Sequence, residues 1–277
     1  MIDAHRHLTM NVSSVHELLE ELDSDGFQKT VLFGYNGMKF DEVRHAQDQK
    51  VLEAFQTAPD RIIPFLCDFD FGDPDLEKYL SDNLGKGLFK GVGEILIGHS
   101  MIRELSFRNI TYFDDQVMHV FKLVSEFNVP ILVHVDPQFV EDFTRTLKKC
   151  NTSQFIWAHA AYDFTTPFGG TEANPDVVES FLTRYDNLFF DISMYKISPV
   201  YLMNEKWLKL LDKYNDRFLF GTDMTSNYKN QSIWVKAYEA VFKKLGSRAV
   251  KMITEKNVLR LCNILSFPEK EKSGSCK

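Results

Sequence analysis

Cysteine, basic runs and long apolar stretches are scarce here, and each scarcity excludes a class of protein. The cysteines number four in 277 residues. Cys67, Cys150, Cys262 and Cys276 lie far apart, with no C-x-x-C pair among them. Such spacing builds neither a zinc–thiolate site nor a disulfide framework, and a reducing cytoplasm is the expected location. No apolar run approaches the roughly 20 residues that span a bilayer. Basic residues form no run, and the formal net charge is −7, so nothing gives the electrostatic footprint of a nucleic-acid or membrane partner. That balance still permits a small anionic substrate gripped by one or two local Arg or Lys side chains. The first strand is expected to begin at Ile2, which leaves no room ahead of it for a signal peptide.

What the chain does contain is a regular alternation. Short apolar, β-branched or aromatic runs are expected as strands over Ile2–His7, Thr30–Gly34, Ile62–Asp68, Phe89–Ile95, Pro130–Val135, Phe155–His159, Leu188–Ile192 and Phe218–Gly221. Between them, three- and four-residue apolar spacing predicts helices over Ser14–Asp23, Asp41–Thr57, Asp75–Asn83, Asp114–Phe127, Pro137–Cys150, Pro175–Tyr185, Pro199–Tyr214 and Ser232–Leu245. Ser13, Ser14, Pro175 and Pro199 supply helix-start signals. Strands that alternate with helices pair in parallel through right-handed crossovers, and eight such units in this length imply an α/β fold, a single (β/α)8 TIM barrel. A C-terminal helix over Arg248–Ile264 is expected to seal the barrel side. The barrel takes in residues 1–266, and the charged tail 267–277 is expected to be disordered. Long connections follow strands four, six and eight (Gly98–Asp115, Ala160–Pro175 and Met224–Gln231), where barrels build their substrate pockets.

The strand ends carry the chemistry. Side chains repeat every second residue along a strand, so His5 and His7 point one way and Arg6 the other. Two imidazoles on one face can grip a divalent metal, although structural histidines at a strand end remain the plainer alternative for the pair alone. The later strands close on Gly93-Glu94, Val133-His134, Ala158-His159 and Gly221-Thr222-Asp223. Each is a metal-competent side chain directly after an apolar run, at the end of the barrel where chemistry gathers.

These pieces, together with Trp157-Ala158-His159, Asn187-Leu188-Phe189-Phe190-Asp191-Ile192-Ser193 and Asn257-Val258-Leu259-Arg260-Leu261, resemble the metal-dependent amidohydrolase superfamily, in its amidohydrolase-2 branch. The likeness implies that His5, His7 and Asp223 hold one divalent ion. It places Glu94 where TatD-like metal-dependent nucleases have a carboxylate bridging two metals, with His134 and His159 on the second ion. With one metal only, His134 would join the first site and His159 would contact substrate; Glu94 favours two. A metal lowers the pKa of bound water and polarises the scissile bond, and Asp223 is placed to move the proton to the leaving group. Ligands without thiolates suit Zn²⁺, Mn²⁺, Fe²⁺ or Ni²⁺, with zinc the first choice.

Other residues are weighed beside these. His16, His45 and His119 read as surface or packing residues. Lys90 is a lesser candidate than Glu94 for the bridge. Asp191 reads as an acceptor that orients its neighbours, and Asp3 as a structural cap of the first strand. His99, Arg103, Arg108, Tyr162, Tyr195 and Lys196 lie in the loops of the expected active face, where His99, Arg103, Tyr162 and Lys196 are candidates for substrate binding. The 24 phenylalanines are core filling. The expected activity is hydrolysis of an amide, ester, lactone or phosphoester bond of a small molecule. The rivals are decarboxylation of an aromatic or unsaturated carboxylic acid, and an inactive barrel acting as a binding protein. No nucleic acid or membrane partner is expected, and a homo-oligomer stays open.

Overall fold

A computed structural model describes residues 1–8, 14–36, 44–98, 109–161, 174–193, 199–225 and 231–264. The elements run β1 (Ile2–His7), α1 (Val15–Ser24), β2 (Lys29–Phe33), α2 (Ala46–Thr57), β3 (Ile62–Leu66), α3 (Leu76–Gly85), β4 (Gly91–Leu96), α4 (Asp115–Glu126), β5 (Ile131–His134), α5 (Val140–Lys149), β6 (Phe155–Trp157), α6 (Pro175–Arg184), β7 (Leu188–Asp191), α7 (Glu205–Lys213), β8 (Phe218–Leu219), β9 (Met224–Thr225), α8 (Gln231–Phe242), α9 (Ser247–Lys251) and α10 (Asn257–Leu261). All strand pairs are parallel, in the order β8-β7-β6-β5-β4-β3-β2-β1-β9. β8 and β9 are two halves of the eighth strand; β9 pairs with β1, and the residues between the halves bond to β1 as well. Ala4 N donates to Phe220 O at 2.9 Å, and Asp223 N donates to His5 O at 2.8 Å. The result is a (β/α)8 TIM barrel with a C-terminal helix.

Two apolar layers hold it together. Outward strand residues such as Leu32, Val92, Val133 and Phe190 pack with the inner faces of the helices. Inward residues such as Ile2, Val31, Ile63, Phe65, Ile156, Phe189 and Leu219 fill the barrel. Val258, Leu259, Leu261 and Cys262 belong to that inner cluster. Asn257 Nδ2 donates to Asn215 O and Phe218 O, each at 2.7 Å, at the start of β8. The last helix therefore plugs the N-terminal mouth of the barrel instead of sealing its side. It is also broken, because a π-helical turn (Met252–Lys256) separates α9 from α10. In that turn the Ile253 carbonyl accepts from Phe220 N at 2.9 Å.

Local chemistry sets several boundaries. Ser14 caps α1 by accepting from Glu17 N, and Asn174 caps α6 ahead of Pro175. Pro137 and Pro199 open 3-10 turns, so α5 and α7 begin later than apolar spacing suggests; Asn204 caps α7. α2 begins at Ala46, after His45 at φ 61°. Residues 41–43 and the tail lie outside the described residues. Arg6, fully buried on the outer face of β1, pairs with Glu21 of α1 at 2.6 Å. Cys67, Cys150 and Cys262 are buried free thiols. No helix among the described residues is long and apolar enough to cross a membrane.

One glycine is fixed by both backbone and space. Gly93 has φ +121°, and a Cβ there would meet Leu132 O at 2.2 Å; Gly26 has φ +76° with nothing within 4 Å. Gly26→Ala is expected to cost about 1–2 kcal/mol, the strain of a left-handed residue alone. Gly93→Ala adds a clash with main chain and is expected to cost more than about 3 kcal/mol. Denaturant unfolding of the two variants measures this. Equal losses would show that β5 yields at this point.

Candidate metal centre

The barrel delivers its donors by breaking strand periodicity twice. On β1, Ile2 and Ala4 face the barrel interior, yet His5 and His7 face inward as well. Consecutive inward residues need an extra residue in the strand, and the register against β2 shifts between Asp3 and Arg6. Such bulges recur at barrel rims, where they re-aim a side chain. Asp3 secures this one: Oδ1 accepts from His5 N at 3.2 Å and Thr222 N at 2.8 Å, and Oδ2 accepts from Thr222 Oγ1 at 2.6 Å. β4 repeats the device, with a register shift between Val92 and Ile95 that brings Glu94 inside. Gly221 lets the eighth strand approach β1, since a Cβ there would lie 2.6 Å from His5 Cβ. His159 and Asp223 arrive differently. His159 stands just past β6 and Asp223 in the break between β8 and β9, both with positive φ, at 61° and 55°.

The six side chains converge around Glu94. Its Oε2 lies 3.4 Å from His5 Nε2 and 3.3 Å from His7 Nε2, and Asp223 Oδ1 lies 3.4 Å from each of those nitrogens. Its Oε1 lies 3.3 Å from His134 Nδ1 and 3.5 Å from His159 Nε2. Three overlapping groups (His5, His7, Glu94; Glu94, His134, His159; and His5, His159, Asp223) each bring their donor atoms within 4.8 Å of one another. Five of the six are buried, and Asp223 is 15% exposed, so it is the carboxylate that can meet solvent or substrate.

Each imidazole is turned by an acceptor behind it. His5 Nδ1 donates to Asp191 Oδ2 at 2.9 Å, His7 Nδ1 to Gly34 O at 2.9 Å, and His159 Nδ1 to Ser193 O at 3.0 Å. His134 reverses the pattern, with Nε2 3.1 Å from Asp136 Oδ1. A neutral imidazole that donates through one nitrogen presents a lone pair on the other, and here the second nitrogens all face Glu94. His5 Nε2 is buried with no hydrogen-bond partner. A buried polar atom left unpartnered costs about 1–3 kcal/mol, a cost that ligation would remove. Donor types, spacing and this orphan atom all fit a divalent cation.

The electrostatics agree. Burial alone would lower the His5 pKa, but Asp191 and Glu94 raise it well above the usual imidazole value. His7 is raised against its burial by Asp223 and Glu94, and His134, also against its burial, to about 9 by Asp136 and Glu94. Conversely, burial would raise Glu94, but His5, His134 and His159 hold it well below the carboxylate range. Asp223 is lowered in the same way by His5 and His7, and Asp191 by His5. The protein alone thus keeps protons on its imidazoles to balance its carboxylates, which is the place a metal cation would take.

Asp191 sits behind His5 and also accepts from His159 N at 3.0 Å. Asp3 is the structural residue of the β1 bulge. Lys90 points away, its Nζ donating to Gly87 O at 2.7 Å. His16 and His119 are exposed beside Glu20 and Glu77. His45 packs on Tyr79 with ring centroids 3.6 Å apart. His99, Arg103, Arg108, Tyr162, Tyr195 and Lys196 lie outside the described residues. Sequence reasoning missed Asp136, Ser193 and Tyr35. Ser193 Oγ bonds Asp191 and stands 3.2 Å from both His5 Nδ1 and His159 Nδ1. Tyr35 stacks on His7 at 4.2 Å. Asp136 and Ser193 each stand two residues after a site residue, and that spacing was the available signal.

Solved structures share this architecture. A probable 2-pyrone-4,6-dicarboxylic acid hydrolase from Acinetobacter baumannii, with citric acid bound, superposes with a TM-score of 0.64 at 14% identity, over 95% of this chain and 98% of that one. 4-Oxalomesaconate hydratase from Rhodopseudomonas palustris gives 0.61 at 16%, over 95% of each chain. 5-Carboxyvanillate decarboxylase from Sphingomonas paucimobilis gives 0.63 at 10%, over 96% and 99%. At these identities the likeness concerns the fold. No curated protein sequence matches the chain. The Amidohydrolase family profile matches residues 2–257, and the chain belongs to that family.

Proposed function

We propose that this chain is a metal-dependent hydrolase with two adjoining divalent ions, acting on an amide, ester, lactone or phosphoester bond of a small molecule. The observation that carries the reading is the division of labour at Glu94: one oxygen faces His5 and His7, which Asp223 also meets, and the other faces His134 and His159. His5, His7 and Asp223 would hold the first ion and His134 and His159 the second, with Glu94 between them. Zinc suits the nitrogen and oxygen donors, as do manganese, iron and nickel. When bound, such ions supply an acidified water and polarise the scissile oxygen.

The chain's own residues do the rest. Asp191, Gly34 and Ser193 hold three imidazoles in orientation. Asp223 Oδ1 stands beside His5 and His7, while Oδ2 lies 4.0 Å from His159 Nδ1. The imidazoles of His5 and His7, each 3.4 Å from Oδ1, keep Asp223 ionised against its burial, so it can accept the proton of the attacking water and pass it to the leaving group. A decarboxylase reading needs no carboxylate between two ligand sets. Glu94 within 3.5 Å of all four imidazoles supports hydrolysis over it.

Two experiments test this reading. Zinc-loaded protein is assayed on a panel of lactones, amides, phosphodiesters and aromatic carboxylic acids. A hydrolysable member is expected to turn over, with Asp223→Asn lowering kcat by about 10²–10⁴-fold, the usual contribution of a positioned proton acceptor. Carbon dioxide release from an aromatic acid with no hydrolysis would contradict the reading. Zinc titrated into metal-free protein at pH 7 is expected to expel protons, because His134, at about 9, and the raised His5 and His7 hold them there. Affinity should then rise with pH towards about 9. Calorimetry in buffers of different ionisation enthalpy reads the protons released, and a buffer-independent heat would contradict the assignment.

A further inference from the structure

The two halves of the centre are anchored on the same scheme. In each, one imidazole rests on a backbone carbonyl: His7 on Gly34 and His159 on Ser193. The other rests on a fully buried carboxylate, His5 on Asp191 at 2.9 Å and His134 on Asp136 at 3.1 Å. Asp136 stands two residues beyond His134, the last residue of β5, with its carboxylate against the His134 ring.

His134 differs from the other three histidines in a way that gives Asp136 its importance. Both of its ring nitrogens face carboxylates, Nδ1 towards Glu94 Oε1 at 3.3 Å and Nε2 towards Asp136 Oδ1 at 3.1 Å. Neutral imidazole carries one proton. With the proton on Nε2, the lone pair of Nδ1 points into the space shared with Glu94 and His159. With the proton on Nδ1, held by Glu94, that space loses a donor. Asp136 makes the shorter contact, whereas Glu94 is shared among four imidazoles.

We propose that Asp136 is a positioning residue that holds the His134 ring proton on Nε2 and so reserves Nδ1 as the ligand of the second ion. The part concerning the ion rests on the two-ion reading above; the part concerning the proton does not. Carboxylates behind metal-ligating imidazoles typically change metal affinity by about 10–100-fold when removed.

The test uses the full chain with Asp136→Ala and the isosteric Asp136→Asn, which keeps an acceptor oxygen without the charge. Zinc is counted by mass spectrometry and its stepwise affinities by titration. Weakening of the second ion is expected in the order wild type, Asn, Ala, reaching about 10–100-fold for Ala, with the first ion unchanged. Equal weakening of both ions, with a lower melting temperature of the metal-free protein, would mark a merely structural role and overturn the proposal. The second readout needs no metal: ¹⁵N spectra of metal-free protein in alkaline solution, where neutral imidazole prevails. The His134 proton is expected on Nε2 in the wild type and on Nδ1 in Asp136→Ala. A proton that stays on Nε2 in Asp136→Ala overturns the proposal at any metal count. If Asp136→Ala does not fold, an Asp136→Asn protein with wild-type second-ion affinity overturns it. A wild-type protein that loads a single ion instead refutes the two-ion reading, and the tautomer then decides the proposal alone.

Discussion

Glu94 carries an unusual concentration of constraint, because two pairs of imidazoles face its two oxygens from opposite sides of a closed barrel. A buried carboxylate costs several kcal/mol unless it is paired, and this one is paired with histidines from β1, from the end of β5 and from just beyond β6. The histidines in turn are fixed from behind by Asp191, Gly34, Ser193 and Asp136. Remove the central carboxylate and four oriented lone pairs converge on nothing; remove the outer acceptors and the orientation is lost. Buried polar networks of this kind are stable only when every member is satisfied, and His5 Nε2 is the atom that protein groups leave unsatisfied.

The barrel around the centre is shaped to permit that convergence. A perfectly regular parallel strand sends alternate residues to the helix layer. Four of the six donors sit on β1, β4 and β5, and two of those strands change register beside the site. The eighth strand breaks into β8 and β9, and Asp223 stands in the break, fastened to His5 O. The opposite mouth is filled by the apolar face of α10, anchored by Asn257 on the start of β8. Hydrocarbon thus closes the end of the barrel opposite to the one where the six side chains gather, the division of a barrel into a stabilising face and a face for chemistry.

Much of this was legible in the sequence. Eight βα units, the inward pairing of His5 with His7, and the placing of each donor at a strand end follow from periodicity and from the rule that buried ionisable groups need a reason. Periodicity could not show how Glu94 turns inward, since the β4 bulge leaves no mark on the pattern beyond Gly93. Nor could it show that strand six ends at Trp157, leaving His159 in a left-handed turn. The pattern over Arg248–Ile264 suits side cover as well as an end plug, because amphipathicity identifies the buried face and not the surface it meets. Asp136 and Ser193 stood in plain view, two residues after His134 and Asp191, but one strand side chain cannot reveal its partner on another. The proline-opened turns at 137 and 199 cost a few residues of helix boundary because proline fits a 3-10 start as well as an α start.

The most direct measurement is anomalous diffraction at the zinc edge from crystals of the zinc-loaded protein and of Glu94→Gln. Two peaks about 3.5–4 Å apart are expected, one among His5, His7 and Asp223 and one between His134 and His159, with one lost or strongly weakened in Glu94→Gln. A single peak in the wild type, or two peaks unaltered by the substitution, would contradict a centre organised around that carboxylate.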